Sequence, residues 1–193
     1  MEAFAWNQTF FTGLETVDSQ HRHLVELTNE LGTSMLEGSE MSEGRMQILF
    51  KQLADYAREH FREEEDLMRQ AGLDPRHVDA HVGHHHQFVE HLGTMWRARK
   101  AMTRPAETFH AFLTAWLAYH ILGEDQSMAR QIARVQGGED AAIAYELEAQ
   151  PLDKGTAALL TALRSVFHLL AVQGHDLEQA NQRLLKEQAT HRS

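Results

Sequence analysis

The sequence predicts an all-α protein: an up-down-up-down four-helix bundle, with an aromatic arm before it and an extra helix after it. Three observations point there. Long stretches repeat apolar residues at i, i+3, i+4 and i+7, the period of a half-buried helix. No Val/Ile/Thr-rich alternation suggests a strand. The three prolines, Pro75, Pro105 and Pro151, stand at the ends of periodic stretches and not inside them, where a proline is tolerated. The connections are short, so consecutive helices become antiparallel neighbours.

The elements follow in order. Residues 1–17 hold Phe4, Trp6, Phe10 and Phe11, too aromatic for a free tail, and are read as an arm over one end of the bundle. The first helix spans about 18–37, with Val17, His21, Leu24, Val25, Thr28, Leu31 and Met35 on its inner stripe. The second spans about 43–70, with Leu49, Leu53, Tyr56, Ala57, His60, Phe61, Glu64, Leu67 and Met68 inward. Asp74-Pro75 is an N-cap followed by proline at the first helical position, and it starts the third helix, about 75–99. Its stripe is Val78, His81, His85, Phe88, Leu92, Met95 and Trp96. The fourth spans about 105–135, with Phe109, Leu113, Trp116, Leu117, His120, Ile121 and Met128 inward. Residues 1–135 thus form one bundle. Gly137-Gly138 breaks the pattern, and 136–155, with Glu139, Asp140, Glu146, Glu148 and Asp153, reads as an acidic connector holding a short helix. A further helix, from Thr156 to about Lys186, fills 156–193.

Composition removes several function classes. With 18 Lys+Arg against 28 Asp+Glu the net charge is −10, which argues against a nucleic-acid or anionic-membrane partner. Cysteine is absent, so thiolate metal sites, iron–sulfur clusters, disulfides and cysteine nucleophiles are excluded. The start, Met1-Glu2-Ala3, has no signal-peptide pattern, and no apolar run is long enough to span a membrane. The expectation is a soluble cytoplasmic protein.

Histidine is the anomaly: there are 14, six of them between His77 and His91. One core histidine satisfied by a hydrogen bond is ordinary. Here His21, His60, His81, His85 and His120 lie on the inner stripes of four helices, with Glu64 beside them. An isolated buried charge costs several kcal/mol unless it is paired or bound to metal. In an up-down bundle the start of the first and third helices and the end of the second and fourth share one end. At about 1.5 Å rise per residue these side chains reach similar heights. An imidazole–carboxylate set without sulfur suits iron, zinc, manganese or nickel. Five imidazoles exceed what one tetrahedral zinc uses, and two metals bridged by carboxylates fit the count better.

The motifs then resemble a known family. Trp6-Asn7, Gly13, Val17-Asp18-Ser19-Gln20-His21 and Asn29 are similar to the entry into the first helix of bacterial hemerythrins. His60-Phe61-Arg62-Glu63-Glu64-Glu65 with Met68 resembles their HFxxEE signature, and His81-Val82-Gly83-His84-His85-His86-Gln87-Phe88 their HxxxHxxF signature. Trp116-Leu117-Ala118-Tyr119-His120-Ile121-Leu122-Gly123-Glu124-Asp125 resembles the closing WLxxHIxxxD, so the likeness covers roughly residues 4–132. The resemblance implies a non-heme centre of two iron ions with a solvent-derived oxo or hydroxo oxygen between them, binding dioxygen reversibly. It implies that one iron takes His81, His85 and His120, the other His21 and His60 with an open position, and that Glu64 and Asp125 bridge. Leu24, Phe61, Phe88 and Trp116 are the candidates for the apolar O2 pocket.

Three details stand apart from the pattern. Asp125 is five residues after His120, about 140° around an ideal helix. Helical geometry alone selects Glu124, the family pattern selects Asp125, and a π-bulge would reconcile them. His77 and His84 compete with His81 and His85 for register, which Phe88 decides; His77, His84, His86 and His91 are then solvated or support the ligands from behind. The turn Ala71-Gly72-Leu73-Asp74-Pro75 has Leu73 where an aromatic often precedes the proline, and its proline-to-histidine spacing is one residue longer.

The tail carries Leu163, Leu170, Leu177 and Leu184 at one heptad position and Phe167, Gly174, Asn181 and Gln188 at the other. Two readings stand: a helix folded back on the bundle, using Leu159, Val166 and Leu169 as well, or a parallel homodimeric coiled coil through 163–188 with Asn181 at an a position. By family analogy the second would feed a C-terminal output domain such as a diguanylate cyclase in a longer chain. The leading expectation is an oxygen or redox sensor domain, not itself an enzyme. The alternative is an oxygen carrier or store, and a di-metal enzyme ranks below both.

Overall fold

The computed structural model describes residues 3–36, 43–102, 104–148 and 154–190. Among these, every regular element is helical. Asn7 accepts a hydrogen bond from Thr9 N and opens a 3₁₀ turn, Gln8–Phe10. Seven α-helices follow: α1 Glu15–Leu36, α2 Glu43–Ala71, α3 Pro75–Ala98, α4 Pro105–Tyr119, α5 Gln126–Gln136, α6 Ala141–Glu148 and α7 Lys154–Thr190. A π turn, His120–Asp125, joins α4 to α5 without a break.

Local chemistry sets the boundaries. Asp74 caps α3 by accepting from Arg76 N at 2.8 Å, with Pro75 at the first position. Gly72 supplies the φ of +70° that reverses the chain before it, a conformation side chains resist. α5 ends at Gln136, and Gly138, φ +93°, turns the chain so that Glu139 N donates back to Arg134 O. Asp140 then caps α6 by accepting from Ala142 N. The acidic connector therefore contains a real helix. It is tied down by Arg130 to Glu148 at 2.7 Å and Arg76 to Glu146 at 2.7 Å, with the Arg76 guanidinium over the Tyr145 ring.

α1 packs on α2, α2 on α3, and α4 returns to α1, while α5 continues the rod alongside α2. Directions alternate. His21 near the start of α1 meets His60 near the end of α2, and Phe50 near the start of α2 stacks on Trp96 near the end of α3 at 3.9 Å. The interior is apolar in two parts. The larger contains Leu24, Leu53, Phe61, Phe88, Phe109, Phe112 and Trp116; the smaller contains Val17, Met68, Leu73, Val78, Met128 and Ile132. Leu73 thus fills the smaller cluster from the turn before α3.

The arm is fastened at three points. Asn29 exchanges two hydrogen bonds with the Phe4 backbone, at 2.8 and 2.9 Å. Buried Asp18 accepts from Thr12 N, Thr12 Oγ1 and Gly13 N. Gln126 donates to Thr9 O. These bonds bring Trp6 over Phe10 and within 6.1 Å of the His21 ring.

α7 lies along α3 and α4. Leu163, Leu170 and Leu177, the heptad leucines, pack against the main core, and Ala171 is buried. Leu184 is exposed, as are Val166, Leu169 and Val172. Leu163, Leu170 and Leu177 thus find an apolar surface in their own chain. The side chains of Met35, Leu159, Phe167, Asn181 and Gln188 lie outside those described.

Candidate metal centre

Five imidazoles and two carboxylates converge between the two apolar clusters, and all seven side chains are buried. α1 supplies His21. α2 supplies His60 and Glu64, and α3 supplies His81 and His85, each pair one turn apart on one face. The π turn supplies His120 at its start and Asp125 at its end. Its Gln126 N–H donates to Ile121 O, five residues back. The extra residue per turn swings Asp125 onto the face of His120, as a π-bulge should. Glu124 turns the other way, accepting from Tyr119 OH at 3.1 Å and lying 3.4 Å from His84 Nδ1.

The atoms divide into two groups. Glu64 Oε1 lies 3.6 Å from His21 Nε2 and 3.5 Å from His60 Nε2. Its other oxygen, Oε2, lies 3.6, 3.4 and 4.0 Å from the Nε2 atoms of His81, His85 and His120. Asp125 repeats the division: Oδ2 is 3.1 Å from His21, and Oδ1 is 3.3 and 3.1 Å from His81 and His120. Each carboxylate therefore spans both groups.

The rings are aimed from behind. Gln20 donates to Glu63 through Nε2 at 2.6 Å, so its Oε1, 3.0 Å from His60 Nδ1, must accept there. That puts the proton on Nδ1 and leaves Nε2 a lone pair toward the centre. Glu65 does the same for His85 Nδ1 at 3.2 Å. Gln20 and Glu65 have no assigned role in the sequence motifs. Each sits on a helix next to the ring it supports, and helical periodicity within one helix cannot reveal such a partner. Phe61 stacks on His85 at 3.9 Å, and Trp116 on His120 at 4.4 Å. Of the remaining clustered histidines, His77 is buried and takes Gln131 Nε2 at 3.0 Å, while His86 is exposed.

The donor set fits cations. Both oxygens of Glu64 and Asp125, both nitrogens of His21 and His81, and His60 Nε2 have no hydrogen-bond partner although buried. Interiors rarely leave such atoms unpaired. Ligands about 2.1 Å from a shared cation sit roughly 3–4 Å apart, the spacing observed here.

Electrostatics agrees. Burial pushes the imidazoles of His21 and His81 down, but the Asp125 and Glu64 carboxylates outweigh it and hold them up at about 9 and about 10. Burial pushes His60 and His77 down to about 4. Burial raises Glu64 and Asp125, and the surrounding imidazoles more than reverse this, leaving both below the usual carboxylate range. In the metal-free chain two imidazolium ions thus balance two carboxylates.

The signs give a pH prediction. The raised pair, His21 and His81, stabilises the metal-free fold below about pH 6.5, and this is lost as pH rises through 9 to 10. The lowered pair, His60 and His77, costs stability as pH falls through 6.5, because the unfolded chain binds those protons more readily. The carboxylates add to the acid loss. Denaturant unfolding of chelator-treated protein is expected to show maximal stability at about pH 6–7. A stability that climbs steadily from pH 6.5 to 10 would contradict this charge balance.

The family model "Hemerythrin HHE cation binding domain" matches residues 12–132. The chain belongs to the hemerythrin family. Bacteriohemerythrin of Stenotrophomonas maltophilia (strain R551-3) is 27% identical over 132 residues, covering 68% of this chain and 83% of that protein. Hemerythrin subunit alpha of Lingula anatina is 30% identical over 124 residues, covering 64% of this chain and 91% of its own length. Bacteriohemerythrin of Pseudomonas aeruginosa (strain LESB58) is 28% identical over 125 residues, covering 65% and 78%. No solved structure matches. The match ends at residue 132, so α6 and α7 lie outside the hemerythrin domain proper.

A small cavity lies behind the Phe61 and Trp116 rings that stack on His85 and His120. Leu24, Phe61, Phe88 and Trp116 line it with Thr28, Leu53, Ala57, Leu113 and Leu117. It has room for roughly one small molecule within a wall in which Thr28 is the one polar side chain. Among the described residues no helix is long and apolar enough to cross a membrane.

Proposed function

We propose that this hemerythrin domain binds dioxygen at two iron ions and reports the state of that centre through α7. The observation that carries the two-iron reading is the division of both carboxylates between two imidazole groups. His21 and His60 would hold one ion. His81, His85 and His120 would hold the other, and Glu64 and Asp125 would join them. Two ferrous ions held there supply the two electrons that reversible dioxygen binding uses. The chain's own part is to orient the rings through Gln20 and Glu65, and to keep water out with Leu24, Phe61, Phe88 and Trp116. A dry, apolar cavity disfavours the charge separation that leads to irreversible oxidation.

Sensing is supported by where α7 lies. A Cβ placed on Gly123, inside the π turn, would sit 3.7 Å from Leu160 Cδ1 of α7. The π turn carries both His120 and Asp125, and Gly123 between them faces Leu160, so a shift of the turn would press on α7. Arg164 of α7 also lines a pocket with His84, Tyr119 and Trp116. The relay requires the two ligand states to favour different positions of α7. An output module such as a diguanylate cyclase is one receiver that a rearranged α7 could drive.

Amide hydrogen exchange along 154–190 tests this in the reduced, oxygenated and oxidised protein. Sensing predicts a several-fold change in protection between states, lost in Leu160→Ala. Identical protection in every state would favour the carrier or storage function instead.

A further inference from the structure

The centre is buried, so a cation must cross the bundle wall to reach it. Two open grooves touch residues of the cluster, and they differ in charge. The α2/α3 groove reaches His85 and carries Arg58 and Arg62 together with Glu65 and Glu90. The α1/α2 groove, about 330 Å³, carries Glu63 and Asp66, and none of the residues lining it is cationic. Glu63 and Asp66 are exposed. Asp66 also pairs with Arg69 at 3.2 Å.

What distinguishes the second groove from an ordinary acidic surface is its floor. Glu64 lines it, fully buried, with both oxygens unpartnered. Gln20 lines the same groove, half-buried, holding Glu63 through Nε2 and His60 through Oε1. It is thus bonded both to a surface carboxylate of the groove and to a ring of the cluster. The path ends beside His21 and His60, the group with fewer imidazoles.

We propose that the α1/α2 groove is a loading site for divalent cations, with Glu63 and Asp66 capturing the ion and Gln20 gating its passage to Glu64. This rests on the metal-binding reading of the cluster. Carboxylates lining a cleft raise the local cation concentration and the on-rate, an effect removed by salt.

The test follows Co²⁺ uptake by the chelator-treated full chain, using stopped-flow visible absorption and cobalt counted per chain. Glu63→Gln with Asp66→Asn is expected to load about tenfold more slowly at low salt. Its final cobalt content should equal the parent's, and the rate difference should vanish at high salt. Glu90→Gln, in the other groove, should load at the parent rate. Parent-like loading by the double variant, or equal slowing by Glu90→Gln, would overturn the loading site while leaving the metal centre standing. A parent chain that takes up no cobalt would overturn the metal centre itself, and the loading site with it.

Discussion

Asp125→Ala is expected to lower bound iron to half of the parent level or less, whereas Glu124→Ala leaves it at the parent level. The two residues are neighbours in sequence, so the contrast isolates the π turn. Asp125 reaches His21 with one oxygen and His81 and His120 with the other, all within 3.3 Å. Glu124 touches Tyr119 and His84 outside the cluster. Removing Asp125 also strips a counter-charge from buried His21 and His81, and losing one partner of a buried ion pair costs about 3–5 kcal/mol. Iron per chain after anaerobic loading, with an unfolding curve for each variant, checks both halves. Retention of full iron by Asp125→Ala, or its loss in Glu124→Ala, would reassign the bridge.

Trp116→Ala carries the second large effect. The indole is 3% exposed, stacks on His120 and lies 4.0 Å from Phe88. It also lines the apolar cavity. Truncating a buried aromatic of this kind costs about 3–5 kcal/mol, read as a lower denaturant midpoint at unchanged slope. The void left behind adjoins the centre and admits water, so the oxygenated form should decay faster than in the parent. A variant of parental stability and parental decay would remove Trp116 from the wall.

Much of this was legible because helix period and chemistry agree. The inner stripes of the four bundle helices place His21, His60, Glu64, His81, His85 and His120 on buried faces without reference to any structure. Asp125 was different: an ideal helix turns it away, and only the motif or a π turn brings it back. Backbone bulges leave no periodic trace, so periodicity alone does not choose between Glu124 and Asp125, and the π turn does. The supporting contacts of Gln20 and Glu65 join neighbouring helices and depend on the rotation of each helix about its axis, which period alone does not give. The tail was ambiguous for a related reason. A heptad of leucines suits a second copy or the chain's own bundle equally, and the apolar surface of α3 and α4 takes Leu163, Leu170 and Leu177.

The most direct test is anaerobic loading with ferrous iron, exposure to oxygen, and optical absorption followed with iron counted per chain. A divided carboxylate pair predicts two irons per chain and a visible charge-transfer band that appears with oxygen and disappears when oxygen is removed. One iron per chain, or two irons with no oxygen-dependent band, would contradict a dioxygen-binding two-iron centre.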